Sequence, residues 1–501
     1  METPVVSDQS GVPGTQGQLT PHLDRRWTAL ILLCAAQFVV VLDTSIVNVA
    51  LPSIGTGLHF SEPSLPWVVN AYVIAFGGFL LLGGRAADLL GRRRVLMAGL
   101  LVVAVASLAA GFATNEGQLV AGRAAQGLGA AIILPSALSI ITTLFRDGME
   151  RDRALGVWGA VAGSAGAVGV LLGGILTEAL GWEWVLWVNV PVALLALALT
   201  PRLIPESRSA SATRQYDLAG AVSITGGLSL LAYALLDANS AGWGSTTIVG
   251  LLALAVALIG AFIVIELRSE APLVPFRVFR LRTLTGANIA ATLLGASLYA
   301  MFFYVSLYMQ QVLGYSPLQA GLSYLPLAVT IIVAAGFGGR LVTRFGFKPI
   351  LATGMVIVAL ALVWFSRVPD DGSFVRDILG PSMLAGVGLG LGFVTSTIAA
   401  VSGVEEREQG LAGGLINTSQ QMGAALGLAV LSTIAGSKTD QVLASGTSSL
   451  RDALTSGFES AFLGGATIAA LGVVATLLLI RSRDSRAHAE MANPRAAAAG
   501  A

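Results

Sequence analysis

Fourteen runs of about twenty mostly apolar residues, joined by loops too short to hold a soluble domain, leave this 501-residue chain little choice but to fold in a bilayer. They cover approximately 28–51, 67–83, 95–114, 118–144, 154–180, 184–200, 218–237, 246–267, 284–309, 318–341, 348–366, 377–403, 413–435 and 458–480. A run of that length satisfies all of its backbone N–H and C=O groups in lipid only as a helix, so the expected fold is an all-α integral membrane protein. Composition agrees: 55% of the residues are hydrophobic and 11% charged, against about 25% charged in soluble domains. A net charge of +1 leaves no basic surplus for nucleic acid. The single cysteine, Cys34, has no partner for an internal disulfide. Residues 1–24 are polar and lack a secretory cleavage pattern, so the first helix is expected to act as an uncleaved signal anchor. They and the Ala-rich residues 482–501 read as disordered tails.

Loop charge orients the helices, because Lys and Arg accumulate on the cytoplasmic side. Of the 29 basic residues, 24 fall in the tails and loops on the side of the N-terminus, while Arg367, Arg376, Lys438 and Arg451 lie opposite and Arg123 lies within a helix. A miscounted helix would scramble this alternation, so both termini are expected in the cytoplasm of a cell carrying the protein in its plasma membrane. An internal repeat divides the chain further. Gly84-Arg85 and Gly91-Arg92 after the second run are matched by Gly339-Arg340 and Gly346 after the tenth, at an offset of 255 residues. Two such sites eight helices apart and in one orientation imply parallel halves. The expected organisation is a six-helix bundle over 25–204, two inserted helices with their linker over 205–270, and a second six-helix bundle over 271–481.

Five stretches, in order, carry a family likeness: VLDTSIVNVALP (Val41 to Pro52), GRAADLLGRRR (Gly84 to Arg94), RAAQGLGAA (Arg123 to Ala131), YMQQVLGYSPLQAGLSYLP (Tyr308 to Pro326) and GLAGGLINTSQQMGAALG (Gly410 to Gly427). With them the chain resembles the major facilitator superfamily, and within it the fourteen-helix drug:proton antiporters. The resemblance implies the major facilitator fold and export of hydrophobic or cationic drugs, driven by inward proton flow. It also implies that Gly84, Asp88, Gly91, Arg92 and Arg93 form a cytoplasmic latch between the halves. Three positions depart from the family pattern: Leu89 where a basic residue is usual, Val170 where proline is usual, and Glu183 where arginine is usual.

Asp43 lies inside the first apolar run, where a carboxylate costs several kcal/mol, so it is a functional candidate by default. Arg123 lies inside the fourth run at comparable depth, and Gln126 follows three residues later on the same helix face. Asp43 is therefore the expected proton carrier and Arg123 the group that tunes it. Burial favours the neutral acid, and a nearby guanidinium favours the ion. A bland reading stays open, with Asp43 merely hydrogen-bonded to backbone or Asn48. Thr44 and Asn48 share a face of the same helix. With Gln126, Phe302, Phe303, Tyr304, Tyr324, Asn417 and Gln421 they make up the expected substrate cavity, since pockets combine aromatic walls with sparse polar groups. Glycines at 156, 159, 163, 166, 169 and 173 form a stripe suited to close helix packing.

Other chemistries find little support. There is no G-x-x-x-x-G-K-[ST] loop, and His22, His59 and His488 lie in tails or loops, so neither an enzyme, a metal site nor a cofactor is expected. A passive pore would need a polar ring and a receptor would usually carry a soluble domain. The expected partners are a small lipophilic or cationic substrate, protons and the lipid bilayer, with the monomer as the working unit. A dedicated exporter of one metabolite or antibiotic is the alternative, because only one carboxylate is clearly intramembrane.

Overall fold

The computed structural model describes residues 25–492, apart from 62–63, 146–147, 208–216, 270–271, 275, 403, 405–408 and 446–448. The described residues are helical almost throughout, with no strand among them. The first six spans are α1 (Arg25–Gly57), α2 (Trp67–Leu90), α3 (Arg92–Gly111), α4 (Glu116–Leu144), α5 (Gly148–Ala179) and the pair α6 (Trp184–Trp187) and α7 (Asn189–Leu203). Next come α8 (Leu218–Ala241) and α9 (Thr246–Arg268). The last six are α10 (Arg282–Leu307), α11 (Pro317–Ser323) continued by α12 (Leu325–Phe345), α13 (Phe347–Phe365), α14 (Leu379–Val401), α15 (Gln409–Ala444) and α16 (Leu450–Leu479). A short α17 (Ser482–Ala492) ends the described chain.

Eleven of the described spans are long and apolar enough to cross a membrane, and α2 and α5 contribute shorter apolar stretches, Trp67–Leu80 and Val168–Ala179. The remaining span, α15, carries the polar sequence Asn417–Gln421 near its start. Several helices outrun their apolar stretch. α1 continues through Pro52 to Gly57, and α15 extends to Ala444, because helix geometry persists past the lipid wherever caps and neighbours satisfy it.

Helices α1 to α7 pack on one another, as do α10 to α16. α2 and α15 touch across the two groups, α8 packs against both of them, and α9 packs against α8. The internal repeat is visible as geometry. Gly91 between α2 and α3 and Gly346 between α12 and α13 both take positive φ, 110° and 83°, which a side chain would resist. Each turn N–H closes the preceding helix, on Ala87 O at 3.2 Å and on Val342 O at 2.8 Å.

Residues 482–492, expected to be disordered, instead form α17, which packs on α12 and α13. Its anchors are polar. Thr283 Oγ1 donates to Asp484 Oδ2 at 2.5 Å, and Ser485 Oγ accepts from Lys348 N at 3.0 Å beside the Gly346 turn. Composition could not foresee this, because the stabilising contacts come from residues far away in the chain.

Candidate functional site

Asp43 is 2% exposed and Arg123 1% exposed, and they meet directly: Arg123 Nη1 donates to Asp43 Oδ2 at 2.5 Å. The same nitrogen donates to Gln126 Oε1 at 2.9 Å, while Arg123 Nε donates to Val68 O of α2 at 2.9 Å. The guanidinium carbon lies 4.5 Å from the ring centre of Tyr72, a cation–π contact in a dry setting. Asp43 Oδ1 accepts two further bonds, from Gln126 Nε2 at 3.1 Å and from Asn189 Nδ2 at 2.6 Å. Gln126 Nε2 also reaches Ser107 Oγ of α3 at 2.8 Å. Both carboxylate oxygens are thus satisfied by charge-assisted bonds, the arrangement a buried ion needs.

Local structure aims each member. The break between α6 and α7 at Val188 puts Asn189 at the start of a new helix, turned toward α1. Behind Asp43, α5 packs so closely on α1 that a Cβ on Gly173 would stand 2.5 Å from Ile46 O, and one on Gly169 would stand 3.0 Å from Leu42 O. The glycine stripe therefore holds the Asp43 helix at contact distance. Gln126, expected in the substrate cavity, takes part in this network. Tyr72, Ser107 and Asn189 were not expected. Asn189 stands in GWEWVLWVNVP as a lone amide in an apolar run, and that was the available signal.

A second cluster lies where the two groups of helices meet. Tyr299 of α10 donates to Gln421 Oε1 of α15 at 3.3 Å and lies within reach of Thr44 of α1. Thr44 Oγ1 also donates to Val41 O at 2.7 Å, and Asn48 Nδ2 donates to Thr44 O at 2.9 Å. Thr44 and Gln421 are thereby brought together, and Tyr299 is a member that sequence reasoning missed. Phe302 and Tyr324 stack with ring centres 5.2 Å apart, and Tyr324 OH donates to Phe302 O at 2.7 Å. Phe303 and Tyr304 pack against each other, and Tyr304 also packs against Phe458 of α16. With Leu236, Ser432 and Thr433 they line a cavity of about 170 Å³. Asn417 is exposed and donates to Gly413 O at 3.0 Å, apart from both clusters.

Away from the termini, hydrogen bonds through Asn48, Val49 and Glu178 tie the two groups of helices. Ser306 Oγ donates to Asn48 O at 2.7 Å and Gln310 Nε2 to Val49 O at 2.9 Å. Ser316 Oγ and Leu318 N both donate to Glu178 Oε2, at 2.5 and 3.0 Å. At the opposite end, the arginines of the expected latch bond the linker that follows α7. Arg93 N donates to Glu206 Oε1 at 3.2 Å, Arg93 and Arg94 pair with the same carboxylate at 3.8 and 3.6 Å, and Arg92 N donates to Ser207 O at 3.0 Å. Arg92 also bonds Thr143 of α4. Gly84 lies against Pro135, and the side chain of Asp88 falls outside the described residues.

Comparison with known proteins extends the geometry. The model of the Major Facilitator Superfamily matches residues 33–428. The cephamycin export protein CmcT of Amycolatopsis lactamdurans is 42% identical over 462 residues, covering 91% of this chain and 93% of that protein. The puromycin resistance protein pur8 of Streptomyces alboniger is 38% identical and covers 96% of each chain. Among solved structures, a bacterial homolog of the human lysosomal transporter Spinster, inward-facing and unoccupied, has a TM-score of 0.67 at 15% identity, covering 93% of this chain and 98% of that one.

Proposed function

Because the chain belongs to the Major Facilitator Superfamily, we propose that it is a proton-coupled secondary exporter of small lipophilic or cationic compounds, working by alternating access as a single chain in the plasma membrane. The observation that carries this reading is the buried Asp43, held by Arg123, Gln126 and Asn189 in the interior of a helical bundle. A carboxylate so placed is the group that can take up and release a hydrogen ion as its surroundings change. The loop charges support a cytoplasmic place for the termini and for the Gly84–Arg93 turn, which serves as the latch. The bonds through Asn48, Val49 and Glu178 then close the outer side, and the cytoplasmic side is the one from which cargo enters.

Coupling runs through geometry. Thr44 is the next residue after Asp43 and faces Tyr299 and Gln421, so cargo or a helix shift at the seam bears directly on the turn that carries the acid. Protonation removes the charge that holds Arg123, and Arg123 then keeps Val68 O, Gln126 and the Tyr72 ring. The stacked Phe302 and Tyr324, with Phe303 and Tyr304, supply apolar walls for lipophilic cargo.

The deciding measurement is efflux from everted vesicles. Asp43→Asn is expected to abolish efflux driven by a pH gradient while the protein still folds, since the amide keeps the size and one acceptor. Undiminished coupled transport by that variant would end the proposal. A narrower reading, one dedicated antibiotic as cargo, is favoured by the 42% identity to a cephamycin export protein. Efflux across a compound panel separates the two, because a dedicated exporter moves one scaffold only.

A further inference from the structure

At the termini end of the inserted helices, two carboxyl groups meet out of water. Asp217 caps α8 and Glu266 lies in the last turn of α9, and they are 7% and 3% exposed. Each is half satisfied. Gly220 N donates to Asp217 Oδ1 at 2.6 Å and Val274 N to Glu266 Oε2 at 2.9 Å. Asp217 Oδ2 and Glu266 Oε1 have no partner among the described residues. The two carboxyl groups nonetheless converge on one point beside Gly220. Gly220 makes room for them, since a Cβ there would stand 2.8 Å from Asp217 Cγ and 2.9 Å from Glu266 Oε1. Two ionised carboxylates so placed repel, and each unpartnered oxygen carries a desolvation penalty. A single proton removes both costs, because it turns one oxygen into a donor aimed at the other.

We propose that Glu266 and Asp217 form a proton-binding site, a carboxyl pair that holds one hydrogen ion at neutral pH and so clasps α8 to α9. The proton is taken from water at that end of the molecule and forms one O–H bond, and the facing carboxylate accepts it; no other bond changes. The groups acting on Glu266 among the described residues are Asp217 at the start of α8 and the amides of Leu273 and Val274 on the returning loop. Arg268 on its own helix and Arg277 and Arg280 on the segment Phe276–Arg280 are exposed. Asp217 follows the connection from α7, and Glu266 precedes the loop to α10. The clasp therefore sits where the insert joins both halves. Its site is separate from Asp43 and its test does not depend on transport.

The unfolded chain releases such protons in the ordinary carboxyl range, near pH 4. A pair that keeps its proton when folded contributes stability that declines as pH rises above that range, and it is fully lost once the folded pair ionises. Full-length protein in lipid nanodiscs is melted from pH 5 to 9. The wild type is expected to lose several degrees relative to Glu266→Gln as pH rises, since the glutamine amide donates to Asp217 at every pH. Infrared spectra at pH 7 are expected to contain a protonated-carboxyl C=O band, shifted in deuterated water and lost in both Glu266→Gln and Asp217→Asn. Asparagine caps helices well, so the second variant guards against misfolding in the first. Equal pH profiles for wild type and Glu266→Gln, retention of the band in both variants, or stabilisation of the wild type by sodium or magnesium in place of acid would each overturn the proposal.

Discussion

At the scale of single residues, the energetics of the Asp43 network are lopsided. Forming a buried ion pair repays roughly its own desolvation, but removing one partner strands the other charge at a cost of about 3–5 kcal/mol. Arg123→Ala is therefore expected to destabilise the protein by that order in thermal or denaturant unfolding, and Asp43→Asn combined with Arg123→Ala to recover part of it. Additive losses would mean that the two side chains do not depend on each other. Asn189→Ala removes one acceptor bond from Asp43 and is expected to cost about 1–3 kcal/mol, because Asp43 Oδ1 then keeps Gln126 alone. Asp43 and Arg123 were legible as candidates because a charge in an apolar run is costly wherever it falls. Asn189 and Tyr299 were not, since an amide or a phenol in a membrane helix is common and only the neighbours on other helices give it meaning.

At the scale of elements, close packing and small anchors carry the predictions. Gly173→Val places branched carbons against Ile46 O, where even a Cβ would lie 2.5 Å away. It is expected to push α5 off α1 and to lower both the melting temperature and transport, whereas Gly250→Ala, in open space, is expected to change neither. Removing residues 482–501 deletes α17, with the bonds of Asp484 to Thr283 and Ser485 to Lys348. The truncated protein is expected to melt a few degrees lower, as loss of about 1–2 kcal/mol implies for two partly buried hydrogen bonds. An unchanged melting curve would show that α17 is an ornament. Helix positions were readable from hydropathy because lipid imposes the same length on every span. Interruptions such as Val188 and Tyr324 were not, because local bonds, from Val188 N to Trp184 O at 3.0 Å and from Tyr324 N to Gly321 O at 3.2 Å, carry the backbone across them.

At the scale of the whole molecule, two groups of helices meet through a seam closed at the end away from the termini. In a background where Cys34 is replaced by Ala, cysteines at Glu178 and Ser316 are expected to form a disulfide that stops transport until it is reduced, since their side chains already touch. Free turnover with the bond in place would show that this seam does not open. The repeated turn was legible because Gly84 and Gly91 recur 255 residues later, and Gly91 and Gly346 do share a positive φ. The surroundings of the Gly84–Arg93 turn were only half legible. Its arginines are basic wherever they sit, but Glu206, which binds them, lies in a linker with no periodicity to mark it.

Hydrophobic run length, loop charge and the glycine turn motif are local quantities, and by themselves they marked the membrane helices, the candidate acid and the repeated turn. Which side chains share a bond is a different kind of fact. Asp43 meets Arg123 across 80 residues and Asn189 across 146, and in a bilayer no hydrophobic gradient between helices selects those pairings. Backbone contact through glycine and the need to satisfy each buried polar group decided them, and both exist only once the helices are packed.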